Sequence, residues 1–123
     1  MTHDMVAYDS SAHAGGVVAQ IRTLASRCRP GTRLPATSVR LGETVNSMSW
    51  RSDATLPVRD NVVVASRRTL SNTGVTHSVL IVQRQGGIVS TIALYGFNRP
   101  LTAVEIAGGM RAARLSGKRQ LTP

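Results

Sequence analysis

The 123-residue chain predicts an α+β domain: a helix, a four-stranded, mainly antiparallel sheet and a second helix, with both helices packed on one sheet face. Three observations carry this expectation. Apolar residues recur at three- and four-residue spacing near both ends of the chain, the period of a helix with one buried face. The stretch between them is rich in β-branched runs such as Val62-Val63-Val64. Gly86-Gly87 separates two of these runs, and a glycine pair supplies the positive φ that a two-residue hairpin turn needs.

The first helix spans residues 10–28. Ala14, Val17, Val18, Ile21, Leu24, Ala25 and Cys28 share its apolar stripe. Asp9 or Ser10 precedes it as N-cap, and Pro30-Gly31 ends it. Residues 29–42 read as a connector. Strands follow at 43–51, 61–67, 77–84 and 88–96, with loops at 52–57 and 68–74. The hairpin can be registered from its turn: Gln83 faces Ser90, Ile81 faces Ile92 and Val79 faces Leu94 on one side. Arg84 with Val89, Val82 with Thr91, Leu80 with Ala93 and Ser78 with Tyr95 form the other. Both sides carry apolar residues. The second helix spans 102–116 and opens on a capping box, Thr102 to Glu105, with Leu101 and Ile106 placed as a hydrophobic staple. Gly108-Gly109 within it predicts close packing on the sheet. The ordered core is expected over 6–116 of a single 1–123 domain, with 117–123 a basic tail. Ile21, Leu24, Ile81, Ile92 and Ile106 are its expected centre.

Composition narrows the function classes. A chain of this length buries roughly two-thirds of its unfolded surface, enough for a core without metal or disulfide staples. Fifteen basic residues against six acidic ones give a formal charge of +9. Such a surface favours polyanions, so a small basic nucleic-acid-binding protein is one reading. Fourteen of the fifteen bases are arginine, a bias that GC-rich coding also produces. No apolar stretch approaches the ~20 residues of a membrane span. The opening Met1-Thr2-His3-Asp4 lacks the basic start of an export signal, which taken literally implies a cytoplasmic chain.

The chemistry-bearing residues do not assemble into a recognisable catalytic pattern, and a non-enzyme is expected. His3, His13 and His77 lack metal-ligand spacing, so neither metal nor cofactor is expected. None of the three Gly-Gly pairs completes a phosphate loop. Cys28 with His77 is the nucleophile pairing left open, because such partners meet only in space. Arg111, Arg114, Lys118 and Arg119 form a basic cluster suited to a helix C-terminus.

The order of these features carries a resemblance. Tyr8-Asp9-Ser10 opens an Ala-rich helix ending at Cys28, and Leu41-Gly42-Glu43 precedes the strands. The hairpin strand Val79–Arg84, Gly86-Gly87, Tyr95-Gly96-Phe97 and Leu101-Thr102 with Glu105 follow in turn. Over residues 6–116 this resembles the C-terminal two-thirds of the PknH-type extracellular sensor domains, found on actinobacterial receptor kinases and in secreted or lipid-anchored sensor-domain proteins. The resemblance implies an extracytoplasmic, non-catalytic domain whose cleft takes a small ligand or a cell-envelope component. Cys28 matches the first of that family's paired cysteines, and residues 43–97 contain no second.

The expected ligand-binding residues are Trp50, Tyr95, Val82 and Arg84. With both helices on one face, the second face would stay uncovered at Leu80, Val82, Val89, Ala93 and Tyr95. A homodimer through the sheet is the expected remedy, because a closed twofold pair buries such a patch. Loops 29–42 and 52–57 folding over the patch are the alternative.

Overall fold

The computed structural model describes residues 2–27, 44–70 and 74–121. Its strands are β1 (Thr2–Ala7), β2 (Thr44–Arg51), β3 (Asn61–Leu70), β4 (Gly74–Gln85) and β5 (Ile88–Phe97). Helix α1 (Ser11–Arg27) follows β1, and helix α2 (Ala103–Leu121) follows β5. A short 3-10 turn, Val58–Asp60, leads into β3. The strands form one sheet in the order β1-β5-β4-β3-β2, with every neighbouring pair antiparallel. The α+β class with an antiparallel sheet is therefore observed.

The β4–β5 hairpin has the register that its turn predicts, with Ile81 opposite Ile92, Val79 opposite Leu94 and Ser78 opposite Tyr95. Gly86 takes φ 59°, as the first position of a primed turn requires. The turn is pinned from outside, because Tyr8 N–H donates to the Gly87 carbonyl at 2.7 Å. Both helix starts are also as expected. Ser10 Oγ accepts from the His13 N–H at 3.0 Å. Thr102 and Glu105 close a capping box, each side chain accepting from the other's N–H at 3.1 Å.

Three expectations are corrected. The sheet has five strands rather than four, because Thr2–Ala7 pairs with β5. All six β1 residues are exposed, so no apolar alternation marks this edge strand. The two helices lie on opposite faces. Ala14, Val18 and Ala25 of α1 pack with Val62, Val64, Val82 and Val89. Ala113 of α2 packs with Val63, Val79, Ile81, Ile92 and Leu94. Strands that are apolar on both sides need cover on both sides, and one helix serves each. Finally, α2 runs on to Leu121, so most of the expected tail is helical backbone.

The face expected to be bare is covered in part, with Tyr95 still 59% exposed. Val82 and Val89, on the face expected to be bare, are buried beneath α1. Residues 29–42 of the alternative cover lie outside the described residues. Of the expected core centre, Ile81 and Ile92 are fully buried, Ile21 and Ile106 are half-buried, and Leu24 is 61% exposed.

The glycine pair in α2 divides by role. A Cβ on Gly109 would sit 2.7 Å from Ile81 Cδ1 and 3.0 Å from Leu94 Cδ1, so this glycine lets the helix close onto the sheet. Gly108 faces open space.

Candidate functional site

Residues 52–60 wrap the end of the sheet and send one aspartate to each face. Asp53 turns toward α2 and is 4% exposed. Its Oδ1 accepts from the Thr55 N–H at 3.0 Å and the Thr55 hydroxyl at 2.7 Å, and its Oδ2 pairs with Arg114 Nη1 at 2.5 Å. Gln83 Nε2 donates both to Asp53 Oδ2 and to the Met110 carbonyl, each at 3.3 Å. Burial alone would raise the Asp53 pKa. The Thr55 hydrogen bonds and the Arg114 guanidinium outweigh it and hold the carboxyl below its usual value. Fully buried Asn61 ties the loop back on itself, its Nδ2 donating to the Pro57 carbonyl at 2.9 Å and its Oδ1 accepting from the Asp53 N–H at 2.5 Å. This cluster joins α2, β4 and the loop and has no open approach through Asp53. It is scaffold.

Asp60 turns toward α1 and meets Arg84. Arg84 Nε donates to Asp60 Oδ1 at 2.9 Å, and Arg84 Nη2 donates to the same oxygen. Arg84 Nη1 reaches the Ser11 hydroxyl at 2.5 Å and the Gly86 carbonyl at 3.0 Å, so the guanidinium is held from three directions. Arg22, one helical stripe along α1, donates through Nη2 to the carbonyls of Val58 and Asn61. Between α1 and the 58–60 turn lies a cleft of about 580 Å³, lined by Ser11, Gly15, Arg22, Arg59, Asp60 and Arg84 among others. Small residues keep it open: Ala12, Gly15 and Ala19 occupy the α1 wall at three- and four-residue spacing.

A second concavity of about 220 Å³ lies under the other end of α1, where Ile21, Leu24 and Ala25 face Val64 and Leu80. Its floor holds a cross-strand pair of hydroxyls, Ser66 Oγ and Ser78 Oγ at 2.6 Å. Tyr95, opposite Ser78 in the ladder, is 59% exposed, and Phe97 is 58% exposed. The sheet face thus continues past the helix with aromatic side chains uncovered.

The four sequence-predicted ligand residues separate. Arg84 lines the larger cleft. Tyr95 pairs in the ladder with Ser78 of the smaller groove but does not itself line it. Val82 is 0% exposed under α1 and is core, because its cross-strand neighbour Val62 and helix residue Val18 enclose it. Trp50 pairs with Val64 in the ladder; its side chain lies outside the described residues. Sequence reading missed Arg22, Arg59 and Asp60. A usable signal was present, since Ala12, Gly15, Ala19 and Arg22 form a second stripe on α1 beside the apolar one.

Among the described residues no group of three or more His, Asp, Glu or Cys side chains could hold a metal ion. His13 Nδ1 pairs with Asp9 Oδ1 at 2.9 Å on the exposed side of α1. Cys28, and with it the Cys28–His77 pairing, lies outside the described residues. Arg114 of the expected basic cluster is engaged with Asp53 in mid-helix rather than at a helix end. No helix among the described residues is long and apolar enough to cross a membrane. In comparisons with known proteins, no family model, curated protein or solved structure matches this chain.

Proposed function

We propose that the chain is a non-catalytic ligand-binding domain of the extracytoplasmic sensor kind, and that its ligand face is the side of the sheet beneath α1. The observation that carries this reading is the incomplete cover on that face. One helix spans a five-stranded sheet and leaves a concavity at each end, an arginine-lined cleft and an apolar groove. Concave sites with a few convergent polar groups are where small ligands bind. The Asp60 carboxylate of the cleft is already engaged by Arg84, an arrangement that holds a shape rather than moves a proton.

A thermal-shift screen of soluble small molecules and cell-envelope fragments tests this reading. Ligands that raise the unfolding midpoint are expected to lose their effect in Arg59→Ala or Tyr95→Ala and to keep it in Arg111→Ala, an exposed change on α2. Retention of duplex DNA or RNA that falls steeply with salt and is weakened by Arg111→Ala would replace this reading with the nucleic-acid one.

A further inference from the structure

We infer that the groove under the C-terminal end of α1 takes a neutral aliphatic chain bearing one carbonyl, an inference that rests on the binding-domain reading and names the ligand chemistry of one of its two concavities. The groove floor is three rungs of the β3–β4 ladder. Val64 opposite Leu80 is apolar, Ser66 opposite Ser78 carries the hydroxyls, and Arg68 stands on the third rung. Ile21, Leu24 and Ala25 of α1 form the wall. The rung before Val64, Val62 with Val82, is fully buried in the cluster that contains Val18, so the groove ends there. Extended backbone from Val64 to Arg68 spans roughly 13 Å. A volume of about 220 Å³ spread along that length has a cross-section of about 17 Å² (220 over 13), the width of a single hydrocarbon chain. One short chain fits; a lipid with two chains does not.

The floor supplies the polar end. Two serine hydroxyls own two hydrogens, and the bond between Ser66 Oγ and Ser78 Oγ at 2.6 Å uses one of them. The other hydrogen has no acceptor among the described residues, and Ser66 is only 8% exposed. A buried hydroxyl hydrogen without an acceptor costs free energy, which a ligand oxygen lying in the groove returns. A carbonyl oxygen, an acceptor only, matches that donor. The head is neutral because Arg68 is already engaged and the remaining lining, Ile21, Leu24, Ala25, Val64 and Leu80 beside the two serines, is apolar. A carboxylate would lose its hydration there without an unpaired cation to replace it.

Titration of the 15N-labelled full chain with methyl butanoate, methyl hexanoate and methyl octanoate, followed by backbone amide shifts, tests the inference. Affinity is expected to rise about fourfold for each methylene, the transfer value of a buried CH₂, with perturbed amides at Ser66, Ser78 and Leu80. Two variants separate the chain from the carbonyl. The double change Ser66→Ala/Ser78→Ala replaces both partners of one hydrogen bond by apolar groups and should fold. It is expected to bind each ester about fivefold to tenfold more weakly and to keep the same gain per methylene. Leu24→Asp places a charge at an exposed helix position on the groove wall and should abolish binding, with circular dichroism verifying both folds. No binding, no gain with chain length, or unchanged binding in either variant overturns the assignment. So does a wild-type dimer in sedimentation that Leu24→Asp dissociates, because the groove then belongs to a second copy. The two readings fail separately. If the esters do not bind while ligands from the thermal-shift screen lose their effect in Arg59→Ala, the binding-domain reading stands on the other cleft and the groove assignment alone falls. If that screen is also empty, both fall.

Discussion

The two faces of the sheet are built differently. Beneath α2, large side chains interlock: Ile81 and Ile92 are fully buried, Gly109 admits the sheet to van der Waals contact, and buried Asp53 is tied to Arg114, Thr55 and Gln83. Beneath α1 the buried residues are mostly Val and Ala, the helix turns small residues and Arg22 toward an open cleft, and Tyr95 and Leu24 stand in solvent. The comparison teaches a division of labour. One face holds the fold together, and the other spends its packing on concavities. Rigid scaffolds commonly present recognition surfaces in this way.

Truncation should separate the faces most sharply. Ile92→Ala removes a fully buried side chain under α2 and is expected to cost about 2–5 kcal/mol in denaturant unfolding. Leu24→Ala on the α1 side should stay within about 0.5 kcal/mol, the range of ordinary surface changes. Comparable losses at the two positions would erase the distinction. Next in size is the glycine pair of α2. Gly108→Ala faces open space and should stabilise by up to about 1 kcal/mol through helix propensity. Gly109→Ala drives a methyl into Ile81 and Leu94, and overpacking of about 1–3 kcal/mol should cancel or exceed that gain. Differential scanning calorimetry would show the two variants moving apart.

The smallest effect is on pH dependence. Hydrogen bonds from Arg99 and the Thr102 N–H pull the Glu105 carboxyl down to about 2 from an ordinary 4.5. Asp53 is also lowered from its ordinary 3.8. A carboxyl that titrates lower when folded stabilises the fold above its unfolded pKa and loses that contribution as pH falls through the folded one. The unfolding temperature should therefore decline below about pH 4.5 and continue declining toward pH 2. Replacing Glu105 by Gln should flatten that decline. An unchanged acid slope would show that the Arg99–Glu105 pair is inert, as many exposed pairs are.

Much of the fold was legible because local chemistry decided it. The Gly86-Gly87 turn sets the hairpin register by itself, and the Thr102–Glu105 box sets where α2 begins. What was not legible depends on partners distant in sequence. β1 is held by backbone pairing to β5, which leaves no side-chain pattern to read. The helix placement was in principle readable, since Val62-Val63-Val64 and Val79–Val82 point apolar groups to both sides. Assigning both helices to one face leaves the other to a second copy or to loops, whereas α1 covers much of it within the chain. The cleft was half visible. Arg84 was recognised on its strand, whereas Asp60 and Arg22 join it only because residues 52–60 wrap the sheet end.

Backbone amide chemical-shift mapping tests the division of labour most directly. Uniformly 15N-labelled protein would be titrated with the ligands that raise its unfolding midpoint. The account predicts that perturbed amides gather on the α1 side, at Ser11–Arg22, Arg59–Asp60 and Arg84 or around Leu80 and Tyr95, while Asp53, Gly109 and Arg114 stay still. Perturbations centred on α2 and Asp53, with the α1 side unmoved, would contradict it.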